Sequence, residues 1–415
     1  MAANDALADP DAPRILEGVR VLDFTQYLAG PTVTRLMAEL GADIVKVEQA
    51  PGGDPSRYLP FQGDGRSHYF VQQNRGKRSL CLDFERPESL DVLRDLVAAT
   101  DVVVENYGPG VLEKRGLDYA SLREINPRLV MASISAFGRR NSPLAHKVGY
   151  VTIGQAFSGF MHMTGERDRP PQFVGVGFAD VSAGVHALTG LALALYHRER
   201  TGRGQWVDIS MIDCLFHSHE LNVQLPAANP RVNPQRSGHH GGITFPAGSF
   251  QGPEGWIVVI ALERQWPAFC QAIGHPELLG DPRYASMRER ARNRAELIEL
   301  TEAWMATFAT DQEVLDVLEA HRVPCAPVLR PTDAVGHPHF AEREMVRTVS
   351  DPVVGEVTIP GFPFKFSERP ELPDLRTASL GEHNAEVLGS ELGIGEDKLA
   401  ELVGAGVIGT RPAGL

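Results

Sequence analysis

The order of predicted strands and helices in the first 135 residues most constrains the fold. A short strand-like segment at residues 18–24 leads into a Gly-Pro step and a helical pattern, and a second strand pattern follows at residues 42–48. Three more strand patterns, separated by helical or loop segments, follow at residues 78–84, 101–107 and 129–135. This alternation predicts an α/β fold with a Rossmann-like, open parallel sheet flanked by helices.

A nicotinamide cofactor is not indicated, because the first β-α-β unit lacks the G-x-G-x-x-G fingerprint of dinucleotide-binding folds. At 415 residues the chain exceeds one typical domain, so we expect two folding units. Residues 226–246 are rich in Pro, Gly and Asn and form the clearest predicted linker.

Composition narrows the classes of partner. The net charge of −13 disfavours a nucleic-acid partner, which normally meets a basic field. The four cysteines lie far apart without C-x-x-C pairing, which predicts neither a metal site nor a disulfide framework. Apolar stretches are interrupted by Gly, Asp or His, and the acidic amino terminus lacks a basic leader; we therefore expect a cytoplasmic protein without a membrane segment.

Two basic islands stand out in this acidic chain, one at residues 74–78 and one at Lys114 and Arg115. Clustered Lys and Arg side chains suit an anionic small ligand such as a phosphorylated cofactor. The alternative interpretation is ordinary solvated surface charge.

A single carboxylate, Asp180, lies in residues 174–195, V-G-V-G-F-A-D-V-S-A-G-V-H-A-L-T-G-L-A-L-A-L. Two interpretations compete. Asp180 either caps the following helix through its side-chain oxygen, or acts as a nucleophile or base beside glycines that let a ligand approach the backbone.

Several stretches together resemble one family, the class III CoA-transferases. The matching strings are D-F-T-Q-Y-L-A-G-P, L-G-A-D-I-V-K-V-E, N-R-G-K-R-S-L, V-V-E-N-Y-G-P-G, H-K-V-G-Y, the Asp180 segment, R-T-G-R-G-Q-W-V-D-I-S-M-I-D, R-V-P-C-A-P-V and S-L-G-E-H-N-A-E-V-L. Their order and spacing cover most of residues 14–405, which makes the resemblance specific.

The resemblance implies a domain arrangement. A large Rossmann-like CoA-binding domain is expected at residues 14–225, completed by 370–415, and a smaller α+β domain at 247–345. Residues 226–246 and 346–369 are the expected outgoing and return linkers. Members of the family form interlocked homodimers, so the resemblance also implies a second copy of the chain as a partner.

The resemblance assigns Asp180 as the catalytic aspartate of a reaction between an acyl-CoA and a carboxylic acid. Coenzyme A is then a co-substrate, and no metal or redox cofactor is required. Gly241 and Gly242 are candidate oxyanion donors in G-H-H-G-G. The candidate CoA contacts are Asn74, Lys77, Asn106, Tyr107, Lys114 and Arg115, with Lys147 and Tyr150 nearer the pantetheine and the active carboxylate.

The sequence departs from the formyl-CoA transferase pattern, in which Leu28 is a glutamine, Gln49 an arginine and Val151 a glutamate, so formate or oxalate specificity does not follow. A related alternative is α-methylacyl-CoA racemase chemistry, with proton transfer by His146, Asp180 and Glu263. A third is a non-catalytic CoA-binding protein in which Asp180 is only a helix cap.

Overall fold

The computed structural model describes residues 12–59, 62–63, 65–242, 244–368, 372–373 and 375–409. Contacts between backbone positions divide the chain into two units. The first contains the described parts of residues 1–158, 175–219 and 338–415, and the second contains those of residues 159–174 and 220–337.

The strands are β1 (Arg20–Phe24), β2 (Asp43–Gln49), β3 (Gln62–Gly63), β4 (Arg66–Ser67), β5 (Lys77–Leu82), β6 (Val102–Glu105), β7 (Val130–Ser135), β8 (Trp206–Ser210), β9 (Ala247–Gln251), β10 (Trp256–Ile260), β11 (Cys325–Pro327), β12 (Val346–Asp351) and β13 (Gly355–Pro360). The helices are α1 (Ala29–Glu39), α2 (His68–Asn74), α3 (Pro87–Ala98), α4 (Tyr119–Ile125), α5 (Val151–Phe157), α6 (Phe160–Met163), α7 (Phe178–Thr201), α8 (Met211–His217), α9 (Gln224–Ala228), α10 (Trp266–Ala272), α11 (Met287–Arg292), α12 (Arg294–Met305), α13 (Asp311–Ala320), α14 (Pro331–Gly336), α15 (Pro338–Glu342) and α16 (Glu396–Gly404).

A six-stranded sheet of order β5-β2-β1-β6-β7-β8 forms the centre of the first unit, and every neighbouring pair is parallel. This is the strand order of a Rossmann fold, so the predicted fold class is confirmed. The order reverses between β1 and β6, and parallel sheets open a ligand crevice at the carboxyl ends of the strands at such a point.

Both faces of this sheet are covered. Val102 and Val104 point into one apolar cluster with residues of α1 and α7, whereas Val103 points into a second cluster with residues of α3 and α4. The continuous valine run of β6 therefore follows from burial on both faces of the strand.

The second unit contains a three-stranded antiparallel sheet of order β11-β10-β9 and helices α10 to α13. Its apolar cluster includes Phe250 of β9, Ile257 of β10, Phe269 of α10 and Leu318 of α13. This is the smaller α+β unit expected from the sequence.

The unit boundaries differ from the predicted ones. Residues 226–246, the expected linker, belong to the second unit, as do residues 159–174. Residues 346–369, the expected return linker, contain the antiparallel pair β12–β13, which belongs to the first unit. A Pro/Gly-rich composition marks turns, and turns occur inside folded units as well as between them.

Helix α7 is the longest in the described chain, with 24 residues. By length and composition it could cross a membrane, a property that it shares with the core helices of folded domains. Ala183, Ala187 and Leu191 of α7 are buried in the core against the sheet.

Candidate active site

A cavity of about 580 Å³ opens at the carboxyl ends of β1, β6 and β7, where the strand order reverses. Loops that follow these strands supply much of its wall. The rest comes from α2, from the segment before α5, and from the first residues of α1, α5, α7 and α8. The residues lining it are Gln26, Tyr27, Leu28, Ala29, Tyr69, Asn106, Tyr107, Gly108, Pro109, Ile134, Ser135, Ala136, Lys147, Val148, Gly149, Tyr150, Val151, Gly177, Asp180 and Met211.

Asp180 is the one carboxylate among these described lining residues. It is half-buried and lies in the first turn of α7, where the capping residue is Gly177 and no side chain caps the helix. Within the described chain its carboxylate accepts no hydrogen bond and forms no ion pair. The helix-cap interpretation is therefore wrong in its geometry.

Burial raises the pKa of Asp180 from its ordinary value of 3.8 to about 6. The partial positive charge at the amino end of α7 favours the ionised form. A half-buried carboxylate without a neutralising partner, located in a cavity, has the character of a reactive group rather than a structural one.

Gly177 allows a close approach beside this carboxylate. A Cβ atom at Gly177 would lie 2.4 Å from Cδ2 of Leu28 and 4.0 Å from Oδ2 of Asp180. Leu28 and Asp180 therefore both lie close to Gly177, and Leu28 forms an apolar wall next to the carboxylate.

Tyr69 approaches the same carboxylate from α2. Burial, together with the nearby charges of Asp180 and Asp54, raises the pKa of Tyr69 to about 12. The phenol therefore stays protonated at neutral pH and has a hydrogen to donate into the cavity.

Asn106 and Tyr107 follow β6 and line the cavity, where hydrogen bonds hold both side chains in place. Asn106 Oδ1 accepts a hydrogen bond from Gln26 N at 2.8 Å, and Asn106 Nδ2 donates to Gln26 O at 2.8 Å. The Tyr107 hydroxyl accepts a hydrogen bond from Gln26 Nε2 at 3.0 Å, and burial raises the pKa of Tyr107 to about 12.

The ion pair of Glu105 and Arg139 holds the backbone of Tyr107. Glu105 Oε2 accepts a hydrogen bond from Tyr107 N at 3.0 Å, and Arg139 Nη2 donates to Tyr107 O at 3.0 Å. Arg139 Nη2 and Glu105 Oε2 are themselves 2.9 Å apart. The backbone of Tyr107 is thus held by two charged partners.

Lys147 and Tyr150 line the cavity, and both side chains are exposed. Among the described lining residues, Lys147 is the one lysine or arginine. His146 is exposed and is not among them.

The structure corrects the placement of Asn74 and Lys77. Lys77 is buried, with its ammonium 2.9 Å from Oδ2 of Asp23, and it donates to Oδ1 of Asn74 at 2.8 Å. Neither side chain lines the cavity. Their basic island is neutralised internally, since Arg75 pairs with Glu39 and Arg78 pairs with Asp43.

The second basic island also lies outside the cavity lining. Lys114 is exposed, whereas Arg115 forms an ion pair with Glu85 and donates to the carbonyl of Val111 at 2.7 Å. Arg115 therefore has a structural partner that the sequence pattern does not reveal.

Three predicted site residues belong to the second unit. The backbone N–H of Gly241 already donates to Ala247 O at 2.6 Å, and Gly242 is exposed. Glu263 accepts a hydrogen bond from Met287 N at 2.8 Å and lies 3.0 Å from Arg290 Nη2. The guanidinium of Arg290 next to it lowers the pKa of Glu263, which weakens it as a base.

Sequence reasoning missed Tyr69 and the lining role of Tyr27 and Met211. Tyr69 lies on α2. The sequence signal for the start of this helix is Ser67, whose side chain caps it by accepting a hydrogen bond from Phe70 N at 3.4 Å. Met211 directly follows β8, and residues at the carboxyl ends of parallel strands are candidates for a site by position alone.

No three His, Cys, Asp or Glu side chains in the described ranges are grouped to hold a metal ion. All four cysteines are unbridged, with Cys81, Cys214 and Cys270 buried.

We expect Asp180→Asn to stabilise the protein above pH 6. The raised pKa means that the folded state binds a proton more tightly than the unfolded state, so stability falls as pH rises from about 4 to about 6. Removing the charge should add about 1–2 kcal/mol to the free energy of unfolding at pH 7.5, after allowance for solvent screening. Urea unfolding at pH 7.5 and at pH 3.5 measures this; an equal effect at both pH values would contradict the burial of the charge.

The chain is similar to known proteins over nearly its whole length. The family model of CoA-transferase family III matches residues 16–384. The chain is 37% identical over 412 residues to a formyl-CoA:oxalate CoA-transferase of Streptomyces avermitilis, covering 95% of this chain and 100% of the relative. It is 40% identical over 390 residues to a succinyl-CoA:mesaconate CoA-transferase of Haloarcula hispanica, covering 92% and 97%.

Among solved structures, a CaiB/BaiF family protein from Brucella suis superposes with a TM-score of 0.80 and 34% identity, covering 91% of this chain and 100% of that one. The match extends over both sequence and fold. The chain therefore belongs to CoA-transferase family III.

Proposed function

We propose that this protein transfers CoA from an acyl-CoA thioester to a carboxylic acid, with Asp180 as the nucleophile. The observation that carries the proposal is the half-buried, unpaired carboxylate of Asp180 in the cavity at the carboxyl ends of the parallel strands. Membership of CoA-transferase family III supports the same reaction class.

The reaction proceeds through four balanced steps. The Asp180 carboxylate attacks the thioester carbonyl and displaces the CoA thiolate, which leaves a mixed anhydride. The thiolate then attacks the aspartyl carbonyl, releases the donor acid and forms an aspartyl-CoA thioester. The acceptor carboxylate displaces the thiolate to form a second anhydride, and the thiolate attacks the acceptor's carbonyl, which releases the new acyl-CoA and restores Asp180.

The surrounding residues suit these steps. The amino end of α7 stabilises the carboxylate each time it is released. The protonated phenol of Tyr69 is a candidate donor to developing negative charge, and the exposed ammonium of Lys147 suits a phosphate of CoA. Asn106 and Tyr107, held in place by Gln26 and Arg139, form the wall against which CoA packs.

The acids named for the relatives are small. They are formate and oxalate in one case, and succinate and mesaconate in another. We infer that the acceptor here is likewise a small carboxylic acid, which meets the apolar wall formed by Leu28 next to Asp180.

The racemase alternative is not favoured. His146 is exposed and is not part of the cavity lining, and Glu263 belongs to the second unit, where Arg290 lowers its pKa. A racemase needs an acid and a base on opposite faces of one carbon atom, and His146 is not part of the cavity lining that contains Asp180.

The proposal includes a homodimer. Val181, Val185, Leu193 and Tyr196 of α7 are exposed in the single chain, with Leu193 at 65% and Tyr196 at 62%. Their spacing places them along one side of the helix, and an exposed apolar strip of this kind is typical of a surface covered by another chain. A mass near twice 45.3 kDa in solution is expected, and a monomer at micromolar concentration would contradict it.

Exchange of CoA between thioesters and acids tests the function. The protein is incubated with a panel of acyl-CoA donors and small carboxylic acids, and new acyl-CoA species are measured by mass spectrometry. At least one donor and acceptor pair should give the acceptor's CoA ester in stoichiometric exchange. If instead deuterium from the solvent enters the α-carbon of an acyl-CoA without exchange, the racemase interpretation is correct.

A further inference from the structure

The turn between β1 and α1, residues 25–28, is under backbone strain where it meets the cavity. Tyr27 has a φ of 61°, in the left-handed region that a tyrosine rarely adopts. Its side chain is 43% exposed and lines the cavity together with Gln26 and Leu28. Strained conformations of this kind persist only where the surrounding structure imposes them, and they concentrate at functional sites.

One buried ion pair holds this turn at two points. Lys46 Nζ donates to the carbonyl of Thr25 at 2.6 Å, and Asp54 Oδ1 accepts a hydrogen bond from Tyr27 N at 3.3 Å. Lys46 Nζ and Asp54 Oδ2 lie 2.9 Å apart and form an ion pair, although their geometry does not meet that of a hydrogen bond. They are 2% and 1% exposed.

Neighbouring contacts explain why the strain falls on Tyr27. Asn106 holds both backbone groups of Gln26, and Lys46 holds Thr25 on the strand side. On the helix side, the Thr32 hydroxyl donates to Leu28 O at 2.8 Å. Because the backbone is held on both sides of Tyr27, the backbone rotation needed to close the turn occurs at Tyr27.

The buried ion pair of Lys46 and Asp54 is energetically costly. Burying two charges costs more than burying apolar side chains of the same volume, so such a pair by itself contributes little to stability. Its two charged groups reach the turn from β2 and from the loop after β2, and each forms a hydrogen bond with a backbone group of the turn.

We propose that Lys46 and Asp54 are positioning residues for acyl-CoA binding: their ion pair fixes residues 25–28 in the strained conformation that presents Tyr27 and Leu28 to the ligand. This inference rests on the proposed CoA-transferase function. Neither residue lines the cavity, and their hydrogen bonds to Thr25 and Tyr27 connect them to it.

The test uses the double variant Lys46→Met/Asp54→Asn, which removes the pair without leaving one buried charge unpaired. The matched control is Arg66→Met/Asp351→Asn. That second pair is also buried, with 2.7 Å between Arg66 Nη1 and Asp351 Oδ2, and it belongs to the first unit without lining the cavity.

We expect the Lys46/Asp54 double variant to raise the KM for acyl-CoA, and the Kd for CoA measured by calorimetry, by about tenfold, with a smaller change in kcat. The control pair should change both by less than about twofold. Equal changes in the two double variants would overturn the proposal. Should the double variant fail to fold, Asp54→Asn alone is judged by the same criterion against Asp351→Asn.

The Tyr27→Asn variant distinguishes positioning of residues 25–28 from a general loss of rigidity in the first unit. Asparagine adopts the left-handed region far more readily than tyrosine, so the strain at this position is relieved. In a Tyr27→Asn background, removing the ion pair should change the Kd for CoA less than it does in the wild type; an undiminished change would contradict the role of strain. If the wild type binds CoA but exchanges none, the proposed function fails, while the Kd comparison still decides the positioning role.

Discussion

Replacement of Asp180 by asparagine should abolish CoA exchange while CoA binding survives. We expect kcat for exchange to fall at least about 10³–10⁴-fold, because an amide cannot attack the thioester or carry the aspartyl-CoA intermediate. The Kd for CoA should stay within about threefold of wild type, since the carboxylate has no hydrogen-bonded partner in the described chain whose loss would disturb the cavity. Exchange assays and calorimetry on the same preparation measure both quantities.

Asp213→Asn is the matched control. Asp213 occupies the same third position of a helix, α8, in the same unit, but it is exposed and does not line the cavity. Its replacement should leave exchange within about twofold of wild type. If Asp180→Asn retains more than a tenth of the wild-type kcat, the carboxylate is not the nucleophile.

Replacement of Gly184 by valine should destabilise the first unit and reduce activity together. Gly184 lies where α7 crosses α1: a Cβ atom there would lie 2.8 Å from Ala29 O and 2.8 Å from Thr32 Cβ. Overpacking of this kind costs about 1–3 kcal/mol, and the branched side chain places this variant at the upper end. Because α1 begins next to Leu28 and α7 carries Asp180, separating the helices also widens the site.

Gly404→Val provides the control for Gly184→Val, since Gly404 ends helix α16 and a Cβ atom there meets nothing within 4 Å. Chemical denaturation of both variants measures the free energy of unfolding. A loss below about 1 kcal/mol for Gly184→Val would show that α1 and α7 separate without cost, contrary to the close approach in the structure.

The strand–helix alternation predicted the parallel sheet because its strands carry short apolar runs that are visible in the sequence. The β6 valines are an example: burial on both faces requires a continuous apolar run, and such a run is visible in the sequence. Asp180 was predictable for a similar reason, since an isolated acid before a long apolar helix stands out locally.

Partners distant in sequence were not predictable. Lys77 was expected to meet a phosphate, but its ammonium is bound to Asp23, which lies on a different strand of the sheet. A basic residue looks the same in the sequence whether its counter-ion is a ligand or a carboxylate brought to it by the fold. The same holds for Arg115, whose partner is Glu85.

Two local features of the site were also not predicted from the sequence: the short helix α2 and the backbone conformation of Tyr27. Tyr69 lies on a helix of only seven residues, too short for a clear apolar period, so neither α2 nor the approach of Tyr69 to Asp180 was predicted. The strain at Tyr27 is invisible in sequence, because the residue types give no hint that a tyrosine adopts a positive φ.

The covalent intermediate tests the central claim most directly. The protein is mixed with an acyl-CoA that supports exchange, without acceptor acid, and is then digested for mass spectrometry. We predict that the peptide containing Asp180 carries CoA through a thioester, and that hydroxylamine converts this aspartyl group to a hydroxamate. An unmodified Asp180 peptide under conditions in which CoA exchange proceeds would contradict the account.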